Sequence, residues 1–193
     1  MSAPSSDRAV DAFLAVLGER GWAATTLGDV ATRAELGFAE LYATFPGKIA
    51  LLSAAMAWID RQVLAGVAPS LDPEETPRDR LFDTLMRRYD ALAAHREAVR
   101  AACAAVRRDP LLALQLVPAV RRSQAAMLAA SGIDTDGARG AVRIAGLAAI
   151  HARTLRAFLA DGSADLSATM AMLDSQLRAA ESRIQTIEKY IKS

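Results

Sequence analysis

The chain has 193 residues, 52% of them hydrophobic and 23% charged, with a formal net charge of +1. That balance supplies a sizeable core and excludes a disordered chain. A single cysteine, Cys103, excludes an intramolecular disulfide and a cysteine-built zinc cluster; set in "AACAAV", it reads as a small apolar residue rather than a nucleophile. Aromatic residues make up only 5% of the chain and apolar positions recur at helical spacing, so the expected fold is all-α. No apolar run reaches the roughly 18 residues of a membrane span, and "MSAPSSDRAV" lacks the order of a signal peptide. A cytoplasmic location is expected.

The first helix is expected from Ser6 to Arg20, with Val10, Phe13, Leu14 and Leu17 on one face and Gly21 as its stop. Thr26 with Asp29 three residues on forms a capping box for a short second helix that buries Leu27, Val30, Ala31 and Ala34. Glu35-Leu36-Gly37 is a turn. A third helix carries Phe38, Leu41, Tyr42 and Phe45 at inward spacing and ends at Pro46-Gly47, and "KIALLSAAMAWIDRQVLAGV" continues as a longer fourth. Residues 1–68 thus have the size of a small helix-turn-helix head with a connecting helix.

"APSLDPEETPRDR", rich in proline and acids, marks a boundary, and residues 78–193 are expected to form a larger helical body for ligand binding and dimerisation. Its helices fall near Arg78–Ala94, His95–Arg108, Leu111–Ala130, Gly137–Ala160 and Asp165–Ile191, with Pro118 kinking the third. Leu166, Met170, Leu173, Leu177, Ala180, Ile184, Ile187 and Ile191 form a heptad seam suited to helix pairing. With the apolar positions Leu155 and Phe158 before it, the seam makes Met170, Leu173, Leu177 and Ile184 candidate dimerisation residues. Arg183, Lys189 and Lys192 beside the terminal isoleucines suggest a peripheral contact with an anionic membrane as a second use.

The order helix, Gly, aromatic, Thr-Thr, short helix, turn, Leu-Tyr, Phe-Pro, Lys, Leu-Leu in "GERGWAATTLGDVATRAELGFAELYATFPGKIALLSA" resembles the head of the tetracycline-repressor (TetR) family. The resemblance implies a one-component transcriptional regulator that binds DNA as a homodimer and holds a small apolar or lipid-like ligand in its body. It places Thr25, Thr26, Glu40, Tyr42, Thr44 and Lys48 at the DNA, with Tyr42 and Lys48 on phosphates. Where the family commonly has a turn glycine this chain has Glu35, and where it has a histidine before the phenylalanine this chain has Thr44. A second resemblance is to the lipid-binding accessory proteins of ubiquinone biosynthesis, which share the TetR fold without acting as repressors. It is carried by Arg20-Gly21-Trp22 and by Asp134, Asp136, Arg143, Leu155, Asp161, Ser163, Asp165 and Thr169.

Charge bears on both readings. Residues 1–50 set Arg8, Arg20, Arg33 and Lys48 against Asp7, Asp11, Glu19, Asp29, Glu35 and Glu40, a net charge of −2, whereas DNA-binding heads are generally basic. From Arg78 to Arg108 eight arginines face four acids, a net charge of +4 that reads either as solvated helix faces or as a patch for an acidic partner. On the body helices Ile144, Leu147, His151, Leu155 and Phe158 share a stripe, so His151 is expected on an apolar face, while His95 is expected at the surface. Gln124, Thr154 and His151 are sparse polar points that would orient a ligand, with Trp58, Phe82, Met86 and Met127 as apolar lining. No catalytic, cofactor-binding or metal-ligating pattern is found, so no enzyme is expected.

Overall fold

The computed structural model describes residues 5–67 and 74–191, with side chains as far as Arg183. Among these residues the order is α1 (Ser5–Ala24), α2 (Leu27–Ala34), α3 (Phe38–Thr44), α4 (Lys48–Ala65), α5 (Pro77–Ala93), α6 (Arg96–Arg108), α7 (Pro110–Ala130), α8 (Gly137–Ala160) and α9 (Ser167–Ile191), with no strand. No described helix is long and apolar enough to cross a membrane. The chain divides into two compact units, Met1–Ala65 with Asp90–Ser123, and Gly66–Tyr89 with Gln124–Ser193.

The first unit is built around α1. Ala9, Val10, Phe13, Leu14 and Leu17 follow the 3.6-residue period and are buried together with Val30 of α2, Leu41 of α3 and Leu51 of α4. Backbone geometry breaks α1 at Gly21, whose φ of 75° only glycine adopts without strain. The chain can therefore turn and seat Trp22 edge-on against Phe13 at 6.5 Å. Helix α6 packs along α1 through small residues, with Ala98 buried and Ala101, Ala102 and Ala105 against the same core. Gly18 is what lets it approach, because a Cβ there would lie 3.2 Å from the Ala98 nitrogen. A boundary drawn from the proline-rich stretch assigns α6 to the body; by contact α6 belongs with the head, since its small face fits only another helix.

The second unit contains α8, α9, most of α5 and the end of α7. Leu81, Leu85, Tyr89, Met127, Leu128, Ile144, Leu147, Phe158, Leu173 and Leu177 are buried in it. Helix α7 stays continuous through Pro118, which lies at the exposed surface where the carbonyl left without a partner meets water. The stretch before α9 is organised by Asp161, whose carboxylate accepts from the Ser163 amide and hydroxyl and, at 2.8 Å each, from the Thr169 amide and hydroxyl. Those donors hold the Asp161 pKa well below the usual carboxylate range. Arg78 ties the start of α5 to α9 by reaching Asp174 at 3.0 Å and Glu181 at 3.7 Å.

The turn after α2 carries a cost that a different residue would avoid. Glu35 has φ 54° and ψ 45°, its N–H donates to the Thr32 carbonyl, and the Leu36 N–H donates back to Ala31 at 3.0 Å. That is the Schellman arrangement, normally closed by glycine. A side chain in this conformation costs on the order of 1 kcal/mol. Glu35→Gly is therefore expected to raise the unfolding free energy by up to about 0.5 kcal/mol in urea denaturation, once glycine's greater chain entropy is deducted; a lower midpoint would show that the Glu35 side chain contributes more than its strain.

Candidate functional site

The start of α2 is fully engaged within the protein. Thr26 and Asp29 form the expected capping box: the Asp29 N–H donates to the Thr26 hydroxyl at 3.1 Å and the Thr26 N–H to the Asp29 carboxylate at 3.3 Å. The Thr26 hydroxyl bond and the Arg20 guanidinium at 2.7 Å lower the Asp29 pKa. A carboxylate therefore sits where a bound phosphate would otherwise find free N–H groups. Thr25, expected at a phosphate, is instead buried, with its hydroxyl donating to the Gly21 carbonyl at 2.8 Å. Its role is to close the α1 kink.

Helix α3 spans seven residues and buries only Leu41, with Phe45 buried just beyond its end. Phe38, expected to face inward, is 55% exposed and stacks on Tyr42, itself 53% exposed, at 6.2 Å with 14° between ring planes. A helix of about two turns can bury only a narrow edge, and Leu41 already fills it. Ala39, Glu40, Ala43 and Thr44 are also exposed, and the Thr44 hydroxyl turns back to the Glu40 carbonyl at 3.4 Å. Lys48, the first residue of α4, is half-buried; its Nζ donates to the Trp22 carbonyl at 2.7 Å and lies 4.9 Å from the centre of the Trp22 ring. One donor is spent and two remain, on a cation held in place before any anion arrives.

Two further ion pairs in the head join Arg33 to Glu19 at 2.9 Å and Arg61 to Asp7 at 3.0 Å. The arginines from Arg78 to Arg108 are divided between the two units. Arg78, Arg80, Arg87 and Arg88 belong to the second unit and Arg96, Arg100, Arg107 and Arg108 to the first. Arg78 is engaged with acids, Arg80 and Arg87 with the carbonyls of Ser131 and Gly66, and Arg88 is buried.

The second unit brings together a buried polar group that the sequence only partly indicated. The Tyr89 hydroxyl lies 2.9 Å from His151 Nδ1, and the Tyr89 ring packs against Phe158 at 5.5 Å. Burial, reinforced by the Arg88 charge, pulls the His151 imidazole down to about 3, so it is neutral, while burial pushes the Tyr89 phenol up. Thr154 is fully buried one turn from His151 on α8. Gln124 on α7 is fully buried too, and among the described residues neither end of its amide has a hydrogen-bond partner. Met127 is buried one turn from it, and Phe82 and Met86 are half-buried on α5. Arg88 went unremarked in the sequence although the signal was there: Leu81, Thr84, Leu85, Arg88 and Tyr89 are spaced i, i+3, i+4, i+7, i+8, so the arginine falls on the buried stripe.

Several expected placements are corrected. Trp58 belongs to the first unit, edge-on to His95 at 5.6 Å, and that contact leaves His95 half-buried rather than at the surface. Phe158, Leu173 and Leu177 are buried within the single chain, because α9 spends its seam on α8. Of the remaining candidates Leu155 is half-buried and Met170 is 42% exposed, and the side chain of Ile184 lies outside the described residues, as do those of Lys189 and Lys192. Cys103 is half-buried, and burial pushes its thiol up, away from thiolate chemistry.

The sequence model of the bacterial regulatory proteins of the tetR family matches residues 9–55, the stretch that forms α1 to α3 and the start of α4. The structure is similar to a TetR transcriptional regulator from Nitrosomonas europaea, with a TM-score of 0.74 at 21% identity over 93% of this chain and 99% of that one. The chain has the TetR fold. A TetR transcriptional regulator from Rhodococcus (TM-score 0.58, 24% identity, 90% and 94% covered) and a TetR-family member from Streptomyces coelicolor (0.56, 20%, 90% and 98%) are similar over the same extent. No curated protein matches the sequence. These comparisons favour the regulators over the ubiquinone accessory proteins, and the residues that carry the second resemblance cap and brace the body. Asp161, Ser163 and Thr169 organise the entry to α9, and Arg143 donates to the Asp134 carbonyl at 2.8 Å.

The neutral His151 has a consequence in solution. Its pKa is about 3 in the folded chain against 6.5 when unfolded, so the unfolded state takes up the proton first as pH falls. Its contribution to stability is complete above pH 6.5 and is lost progressively below it. Urea unfolding between pH 6 and 4.5 should show stability falling by about 1.4 kcal/mol per pH unit from this group. His151→Gln, which retains a polar partner for Tyr89, should flatten that limb, and an unchanged slope would mean that His151 is not desolvated.

Proposed function

We propose that this chain is a TetR-type transcriptional regulator that binds duplex DNA through α2 and α3, as a homodimer, under control of a small molecule held in the second unit. The observation that carries the reading is the α2–turn–α3 unit itself: a capped α2, a tight turn closed by Glu35 and Leu36, and a third helix exposed along nearly its whole length. A helix that buries one residue in seven is kept for what it presents, not for what it packs. Such a protein works in the cytoplasm, where its DNA is.

Phosphate contacts fall to Lys48 and Tyr42, with Thr44 and Glu40 near the bases. Dimerisation is supported by faces that the single chain leaves open. On α8 these are Val142, Ala145, Gly146 and Ala149, and on α9 Ala168, Ala171, Met172 and Ser175, each set spaced i, i+3, i+4 and i+7. Small residues at that spacing let helices approach closely. The ligand reading is supported by Gln124, since leaving a buried amide unmet costs about 1–3 kcal/mol per group. A small molecule offering both an acceptor and a donor on an apolar frame would meet it, with Met127 and Thr154 as further candidates for contact.

Two measurements test this. Binding to random duplex DNA should be weak and salt-sensitive with a shallow slope. Lys48→Ala should reduce that slope by about one while weakening all sequences alike, and Glu40→Lys should strengthen binding; no duplex binding at low salt would refute the reading. Ala149→Arg with Ala171→Arg, both at exposed positions, should convert the dimer to folded monomer in sedimentation. A dimer that survives both changes would place the interface elsewhere.

A further inference from the structure

The exposed surface of α3 divides into three strips, because residues four apart are offset by only about 40° around a helix. Phe38 and Tyr42 form an aromatic strip, Ala39 and Ala43 a methyl strip, and Glu40 and Thr44 a polar strip. Leu41, the buried anchor, lies roughly opposite Ala39 and Ala43. The methyl strip therefore points directly away from the head, flanked by the aromatic pair on one side and Glu40 on the other. There is no arginine, lysine, asparagine or glutamine on the helix, and its Thr44 hydroxyl is turned to the Glu40 carbonyl.

These groups restrict what can be recognised. A guanine edge in the major groove presents two acceptors and needs a donor; adenine is best met by an amide offering both donor and acceptor. The helix carries no amide, and its hydroxyl donors are Tyr42, assigned above to a phosphate, and Thr44, turned to the Glu40 carbonyl. What α3 does offer is apolar surface and one carboxylate, and the major groove has one complement for each: the thymine 5-methyl group and the cytosine 4-amino group. Phe38 is decisive because it is large, apolar, more than half exposed and held by its stack on Tyr42, so it enters a groove with little loss of side-chain freedom.

Resting on the DNA-binding reading above, we propose that α3 specifies its site by thymine methyl groups packed against Phe38, Ala39 and Ala43 and by a cytosine amino group donating to Glu40. Sequence selectivity resides in pyrimidine edges on the contacted strand, and guanine opposite Glu40 is disfavoured because its acceptors face a carboxylate. The small alanines let the helix backbone approach the base edges closely enough for methyl contact.

The test uses the full chain and a duplex selected by it from a random library. Selection is expected to return sites with clustered thymines and a cytosine, and replacing thymine by deoxyuridine, which removes only the methyl, should weaken binding about fourfold per contacted position. Phe38→Ala, a surface change whose fold is checked by circular dichroism, should shrink the uracil effect. Glu40→Gln should shift the preferred base from cytosine to adenine. Guanine-rich sites, or equal affinity for thymine and uracil duplexes with salt-sensitive binding intact, would overturn this readout and leave the regulator reading standing. Loss of duplex binding under all salt conditions would overturn both.

Discussion

Helix α3 is held to the rest of the protein by Leu41, with Phe45 securing the chain as it leaves, and this narrow anchorage decides what the head can do. Leu41 joins one cluster of buried side chains with α1, α2 and α4. Phe13 and Leu17 of α1 make the floor, Val30 and Ala34 of α2 the wall, and the Glu35 turn sets the approach. The turn takes a left-handed residue where a glycine would be unstrained, and the head carries that cost with a core of close-packed small and branched side chains around it. Because so little of α3 is buried, substitution on its outer strips should leave the fold alone, and recognition can vary without loss of structure.

The electrostatics of the head follow from the same arrangement. Its acids outnumber its bases, yet Asp29 is neutralised in part by Arg20 and the capping box, Glu19 by Arg33, and Asp7 by Arg61. These are surface pairs, worth little to stability; their effect is to reduce the repulsion that a phosphate backbone would meet. Lys48 is the opposite case, a cation fixed by the Trp22 carbonyl and ring instead of by an acid, so its charge stays available. On the proposed DNA-binding reading, affinity built on so few cations would be modest and would place more of the burden of selectivity on base contacts. In the second unit the logic is desolvation: Tyr89 and His151 satisfy one another, Asp161 is met by four donors, and the Gln124 amide is buried without a partner among the described residues.

The helices were legible because periodicity and caps are local. The Thr26–Asp29 box, the Gly21 stop and the order of the elements are all readable from residues within a few positions of one another. What was not legible depends on which neighbour claims a face. The seam through Leu173 and Leu177 is a sound sign of helix pairing, but periodicity cannot say whether the partner is α8 of the same chain or a second copy. Phe38 shares its spacing with Leu41 and Phe45, and only the short length of α3 shows that one of them must stay outside. Thr25 and Thr26 are adjacent and chemically alike, yet the α1 kink turns one inward and leaves the other at the surface. Gln124 and Thr154 were legible as polar residues on apolar helices; that the Gln124 amide is left without a partner required the packing.

The central claim is that the outer strips of α3, with Lys48, are the surface that meets DNA. Amide and side-chain NMR of the full chain, titrated with a duplex at low salt, tests it without altering the protein. The account predicts that perturbations concentrate on the Phe38 and Tyr42 rings, the methyl groups of Ala39 and Ala43, and the Lys48 ammonium, while buried Thr25 and Leu41 move little. Perturbations centred instead on the exposed arginines at the end of α6, with α3 unchanged, would contradict it.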